Sequence, residues 1–73
     1  MTRDKLIFIY LKNKGIKQPE IKRICNISTT KYHNIAKEKD LLSKEERDRL
    51  GIIFPETKNI RYVTDKYYND KEL

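Results

Sequence analysis

The chain has 73 residues, a net charge of +6 and a sequence pI near 9.5, with 38% charged and 37% hydrophobic residues. A chain of this length forms one small domain and buries only about 60% of its unfolded surface. It has no room for a deep substrate cavity, so we expect no enzymatic activity. A single cysteine, Cys25, excludes an internal disulfide and fits a reducing compartment.

The longest apolar run, LIFIYL at residues 6–11, is too short for a membrane span. A bilayer requires roughly 20 apolar residues. Lys12 and Lys14 follow the run where a signal peptide would have small residues for cleavage. We therefore expect a cytoplasmic protein without a membrane partner.

The positive charge is concentrated in the first half of the chain. Residues 1–39 contain ten Lys/Arg against three Asp/Glu, whereas residues 40–73 contain seven against eight. A localised basic surface attracts a polyanion, and nucleic acid is the commonest one. The alternative is a solvated lysine-rich surface that binds nothing.

The first predicted element is a helix from Lys5 to about Lys14. Asp4 is suited to cap its start, and Gly15 is suited to end it in a left-handed conformation. The apolar run would also fit a buried strand, and periodicity alone does not separate the two. On a helix, the inward residues would be Leu6, Ile7, Tyr10 and Leu11.

A second, shorter helix is predicted to begin near Pro19, a residue favoured in a first turn. Lys17 or Gln18 would hold its cap position, where neither residue type is a strong capping residue. The inward face of this helix would consist of Ile21, Ile24 and Cys25.

A sharp turn and a third helix should follow at NISTTKYHNIA. Asn26 tolerates a left-handed backbone, and Ser28 is a strong N-cap for a helix from Thr29 to about Lys39. Ile27 would pack into the core. The helix would bury Tyr32, Ile35 and Ala36, and its outer face would be polar with few acids.

A fourth helix is predicted after Ser43, which forms a capping-box pattern with Glu46. It would run to Leu50, with Gly51 just beyond it. Two β-prone runs at residues 52–54 and 60–63 then flank a polar turn, which predicts a hairpin. An irregular arm lying on the helices is the alternative.

The stretch GIKQPEIKRICNISTTKYHNI resembles the helix-turn-helix of DNA-binding proteins. It is most similar to the simple kind found in resolvases, transposases and small phage or plasmid regulators. The matching positions are Glu20, Ile21, Ile27 and Ser28. Asn26 takes the place of the usual turn glycine, and Cys25 takes that of a leucine. Lys22 departs from the small alanine that lets the two helices pack closely.

The resemblance implies a mainly α, three- to four-helix helix-turn-helix bundle spanning residues 1–63, with or without a C-terminal hairpin as a wing. Residues 64–73 would form a tail, or the start of a dimerisation or linker segment. The implied function is sequence-specific binding of double-stranded DNA, with helix 29–39 in the major groove. Such a protein would be a transcriptional regulator, or a replication or recombination accessory factor, of a phage or plasmid.

The expected DNA contacts fall into two groups. Short polar and basic side chains on the reading helix would meet base edges, and these are Thr29, Thr30, Lys31, His33, Asn34 and Lys37. Side chains around it would meet phosphates, and these are Lys12, Lys14, Lys17, Gln18, Lys22, Arg23 and, at the tip of the wing, Lys58.

One helix-turn-helix reads few bases, so a homodimer on a palindromic site is expected. Its surface would be Phe8 and Ile9, or Tyr67 and Tyr68. No cofactor, metal or small-molecule substrate is expected, since His33 is the only histidine. Two alternatives stay open: a small protein-binding inhibitor or antirepressor built on the same core, and the N-terminal part of a longer protein.

Overall fold

The computed structural model describes residues 1–59, which form four α-helices and a short 3-10 helix without any strand in that range. The elements are α1 (Arg3–Asn13), α2 (Gln18–Cys25), α3 (Thr29–Ala36), α4 (Lys44–Ile53) and the 3-10 helix (Pro55–Asn59). α1 packs against α2 and α3, while α4 packs against α2 and the 3-10 helix. The predicted mainly α fold is confirmed.

The start of α1 differs from the prediction. Thr2 is the N-cap, and its hydroxyl accepts a hydrogen bond from the Lys5 N–H at 3.2 Å. Asp4 is not the cap but lies within the first helical turn and is buried. A hydroxyl at the cap position and a carboxylate in the first turn both favour a helix N-terminus, so the sequence signal was displaced by two residues.

The first three helices end in the same way. Gly15, Asn26 and Glu38 each adopt a positive φ, at 99°, 58° and 64°. In each case the residue after it donates its N–H back to a carbonyl five residues earlier, which closes a Schellman motif. A left-handed residue was predicted at Gly15 and Asn26. It was not predicted at Glu38, because glutamate rarely adopts this conformation, and α3 ends at Ala36 instead of near Lys39.

The core lies between α1, α2 and α3 and is closed by α4. Phe8 stacks on Tyr32 with ring centroids 4.7 Å apart and planes 7° from parallel. Phe8 is only 2% exposed, so its predicted role in a dimer surface is wrong, whereas Leu6 and Ile9 are half-buried. The buried apolar side chains are Ile7, Phe8, Tyr10, Leu11, Ile21, Ile24, Cys25, Tyr32, Ile35, Leu42 and Leu50.

α4 begins as predicted and ends later. The Ser43 hydroxyl and the Glu46 carboxylate accept each other's backbone N–H groups, at 3.2 Å and 2.8 Å. The helix continues through Gly51 to Ile53. The glycine accommodates a close approach, since a Cβ there would lie 2.8 Å from Cε of Lys58.

The predicted hairpin is wrong for the residues described. Residues 52 and 53 belong to α4, and residues 55–59 form the 3-10 helix, so neither the first strand nor the turn exists. The second predicted strand at 60–63, the tail at 64–73, and Tyr62, Tyr67 and Tyr68 lie outside the described residues.

Asp4 joins the start of α1 to the segment that precedes α4. Its Oδ2 accepts a hydrogen bond from the Leu42 N–H at 2.8 Å, and the side chain is 3% exposed. The other oxygen, Oδ1, lies 4.0 Å from Nε of Arg47. A buried carboxylate is stabilised only when hydrogen bonds or a cation compensate its lost hydration, so this contact fixes the position of both segments.

Replacing Asp4 by alanine is expected to lower the free energy of unfolding by about 1–3 kcal/mol, because the Leu42 N–H would be left buried without an acceptor. Urea unfolding followed by circular dichroism measures the change. Asp48→Ala, at an exposed position of α4, is the matched control and should cost no more than about 0.5 kcal/mol. Equal losses in the two variants would contradict the assigned role of Asp4.

Candidate nucleic-acid interface

α3 presents a continuous polar line to solvent, which we call the α3 ridge: Thr30, His33, Asn34 and Lys37. Their spacing of three, four and seven residues places them on one side of a helix. Thr30, His33 and Lys37 are exposed and Asn34 is half-buried, while the opposite side of α3 is in the core. The ridge contains no acidic residue, so it repels no phosphate.

Two of the predicted base-contacting residues lie beside the ridge instead of on it. The Thr29 hydroxyl accepts a hydrogen bond from Nζ of Lys22 at 2.9 Å. Nζ of Lys31 lies 3.0 Å from Glu46 Oε1, and this hydrogen bond raises the pKa of Lys31 above its ordinary value. Both side chains hold α3 to its neighbours, so the four ridge residues are the stronger set for reading bases.

His33 is positioned by its neighbour on α3. Its ring meets the Tyr32 ring edge-on, with centroids 5.9 Å apart and planes at 86°. Tyr32 is in turn buried against Phe8. An exposed imidazole that packs on a buried ring has fewer orientations to lose when it binds, which suits a contact residue.

α4 fixes the turn between α2 and α3. Nε and Nη2 of Arg49 both donate to the carbonyl of Cys25, at 3.2 Å and 2.7 Å. This carbonyl is at the C-terminal end of α2, where backbone oxygens lack helical partners and the helix dipole favours a cation. Glu46, one turn earlier, binds Lys31 of α3. One side of α4 therefore holds both helices of the motif.

The sequence does not reveal this role, because interleaved acidic and basic residues such as those at 44–49 are equally typical of a solvated helix surface. Glu46 and Arg49 are three residues apart, which places them on the same side of a helix. That spacing was the only signal available, and it does not reveal which groups they bind.

Cys25 is fully buried beneath this contact. Burial, and secondarily the charge of Glu46, raises the pKa of its thiol to about 12. The thiol therefore stays protonated at neutral pH, and a protonated buried thiol is a poor nucleophile. Its place in the structure is in the core.

The side chains predicted to contact phosphates form two groups. Among residues 1–59, some are free of contacts that would withdraw them from a ligand, and the others bind another residue of the chain. Lys12 and Lys17 are exposed, and Gln18 is half-buried, on the two sides of the turn at Gly15. Lys17 is the N-cap of α2, but its side chain does not accept a hydrogen bond from the first N–H groups of the helix. These three residues are well placed for a phosphate.

The residues of the second group bind other parts of the chain. Lys22 donates to Thr29, and Arg23 pairs with Glu20 one turn before it. Lys58 is not at the tip of a wing: it lies in the 3-10 helix with its side chain over Gly51. The predicted position of Lys58 at the tip of a wing is therefore wrong.

Lys14 is bound to the 3-10 helix. Its Nζ lies 2.6 Å from Oε2 of Glu56, and the Tyr10 hydroxyl donates to the same oxygen at 2.7 Å. The hydrogen bonds from Lys14 and then Tyr10 lower the pKa of Glu56 to about 2. Glu56 thus neutralises much of the charge that Lys14 was expected to offer a phosphate.

Among residues 1–59, no group of three or more His, Cys, Asp and Glu side chains is arranged to hold a metal ion. No helix in that range is both long and apolar enough to cross a bilayer. Comparisons with models of known protein families, with curated proteins and with solved structures found no match to this chain.

The Glu56 contact predicts an acid-dependent loss of stability. Because its folded pKa is about 2 against an ordinary value of 4.5, its stabilising contribution is present above about pH 4.5 and disappears as the pH falls towards 2. Glu56→Gln should therefore be less stable than the parent near neutral pH, and the difference should shrink across that window.

Urea unfolding at a series of pH values measures this difference. Asp48→Asn, at an exposed position in the middle of α4, is the control and should follow the parent closely. A Glu56→Gln deficit that stays constant down to pH 2 would show that the carboxylate charge contributes nothing.

Proposed function

We propose that the protein binds double-stranded DNA sequence-specifically by inserting α3 into the major groove. The observation that carries this proposal is the α3 ridge, a polar line free of acids on the second helix of a helix-turn-helix. Its opposite side is buried in the core, and α4 clamps the preceding turn. The major groove admits one α-helix whose outward side chains meet base edges.

The chemistry of the ridge suits base recognition. Asn34 carries the amide that pairs bidentately with adenine, a contact worth about 1–3 kcal/mol of discrimination. Thr30, in the first turn of α3, offers a hydroxyl and a methyl that fits the thymine methyl. Lys37, at the C-cap, provides a cation at the other end of the ridge. Discrimination would thus come from two neutral side chains with fixed hydrogen-bonding geometry.

Phosphate contacts would come from the side of the motif where α1 ends and α2 begins. Lys12 and Lys17 are exposed there. The N-terminus of α2 adds a favourable dipole for an anion. Phosphate contacts set the register of the reading helix without carrying sequence information. Most of the salt-sensitive affinity would therefore come from this side.

The biological role that follows is transcriptional regulation, or assistance in replication or recombination, in the cytoplasm and for a phage or plasmid. A single ridge of four residues covers few base pairs, so a homodimer on an inverted repeat supplies the remaining specificity. Of the dimer surfaces predicted from sequence, Phe8 is excluded by burial and Ile9 is half-buried. Tyr67 and Tyr68 lie outside the described residues.

A second candidate function is binding to a protein, as an inhibitor or antirepressor. It is favoured by Ile52 and Ile53 at the end of α4, which are 79% and 53% exposed. Adjacent exposed isoleucines are typical of a contact surface when they belong to a larger apolar patch. The DNA proposal is preferred because the ridge and the basic first half of the chain both favour a polyanion.

Asn34→Ala is expected to relax base preference at one position of the target and to weaken binding to the preferred duplex by about 1–3 kcal/mol. The target is found by selecting bound duplexes from a random pool and sequencing them, for the parent and the variant. Lys44→Ala, on α4 and away from the ridge, should leave the selected sequence unchanged. An identical base preference in Asn34→Ala would refute α3 as the reading helix.

Lys17→Ala is expected to weaken binding to all duplexes alike and to reduce the salt dependence by about one counterion. Fluorescence anisotropy of a labelled duplex, titrated at several salt concentrations, measures both quantities. Binding by the parent should fall with salt at a slope of about 0.9 per phosphate contacted. If no duplex is bound at low salt, protein binding becomes the leading function.

A further inference from the structure

A second basic site lies away from the α3 ridge, and we propose that it binds a compact polyphosphate anion. It is a cleft of about 420 Å³ between the start of α1, the first turns of α4 and the 3-10 helix. We call it the basic cleft, and its lining residues are Arg3, Lys44, Arg47, Asp48, Thr57 and Lys58. A volume of this size is within the range of about 300–1,000 Å³ that is typical of small-ligand sites.

Positive charge dominates the lining. Four of the six side chains are cationic and one, Asp48, is anionic. Asp4 lies behind Arg47 at 4.0 Å and compensates part of its charge. The cations come from three separate elements that the fold brings together, and like charges at close range repel one another. A bound anion would remove that repulsion, which provides the driving force for binding.

Both arginines are held in place by backbone carbonyls. Nη2 of Arg3 donates to the carbonyl of Lys58 at 2.9 Å, and Nη2 of Arg47 donates to the carbonyl of Leu42 at 3.2 Å. Each of these bonds uses one of the five N–H donors of a guanidinium. The remaining donors are therefore positioned before a ligand arrives, which reduces the entropy lost on binding.

The ligand class follows from the donor set. Planar guanidinium groups match phosphate oxygens with two parallel hydrogen bonds, and lysines add mobile point charges. Two guanidinium groups and two ammonium groups in one cleft suit two phosphates joined directly, as in pyrophosphate or the end of a nucleoside diphosphate.

The basic cleft shares no residue with the proposed DNA contacts. Lys58 was expected from the sequence to touch DNA as part of a wing, and the structure places it here instead. None of the ridge residues lines the cleft. A free polyphosphate and a nucleic-acid backbone both offer phosphates, so the test has to distinguish these two sources.

Isothermal titration of the full chain with sodium pyrophosphate, at constant ionic strength, tests the proposal. We expect saturable binding at one site, with weaker binding of sulfate. Lys44→Glu, at the exposed first position of α4 where a carboxylate suits the helix dipole, should weaken pyrophosphate binding by roughly fivefold or more. Lys17→Glu makes the same charge change outside the cleft and should leave the affinity unchanged.

A second titration distinguishes the source of the phosphates. Labelled duplex is titrated with and without saturating pyrophosphate at matched ionic strength, and the affinities should agree. Displacement of duplex by pyrophosphate would overturn the proposal, since the cleft would then belong to the DNA backbone. Non-saturable pyrophosphate binding, or equal affinities in Lys44→Glu and the parent, would overturn it too. Asn34→Ala, which is expected to alter DNA recognition, should bind pyrophosphate with the affinity of the parent. Failure of the pyrophosphate proposal can therefore be distinguished from failure of the DNA proposal.

Discussion

The structure depends on how the carbonyl of Cys25 is bound. This oxygen is at the C-terminal end of α2, directly before the chain reverses at Asn26. Nε and Nη2 of Arg49 both donate to it. A carbonyl at a buried helix end without a donor would cost about 1–3 kcal/mol. With Arg49 in place, the left-handed turn and the direction of α3 are defined by α4 and not by two short helices alone. Helices of eight residues are marginal in isolation, so this contact from α4 supports the placement of both α2 and α3.

The two basic surfaces differ in how their cations are used. Three of the lysines predicted to contact DNA are already bound: Lys14 by Glu56, Lys22 by Thr29 and Lys31 by Glu46. The ridge itself combines the neutral side chains of Thr30 and Asn34 with His33 and a single lysine, Lys37. In the basic cleft the cations line one site together, and its two arginines are bound to backbone carbonyls. One small domain can therefore present a surface suited to shape and hydrogen-bond recognition and another suited to concentrated negative charge.

Much of the fold could be predicted because its signals are local. The capping box at Ser43, the left-handed turn at Asn26 and the N-cap at Ser28 each depend on contacts within a few residues, and all three occur in the structure. Two errors concern residues with distant contacts. Gly51 was expected just beyond α4, but it lies within the helix with the Lys58 side chain over it. Thr2 caps α1 in place of Asp4, whose carboxylate instead accepts the N–H of Leu42, 38 residues away.

The sequence by itself determined the number and order of the helices, the turn between α2 and α3 and the identity of most core residues, since helix propensity, capping and apolar spacing act over one or two turns of chain. The tertiary structure decided which charges remain available to a ligand. Lys14 and Glu56 are 42 residues apart, and Arg49 and Cys25 are 24 apart. Whether a surface lysine meets a phosphate or a carboxylate depends on which distant segment packs beside it, and no local pattern carries that information.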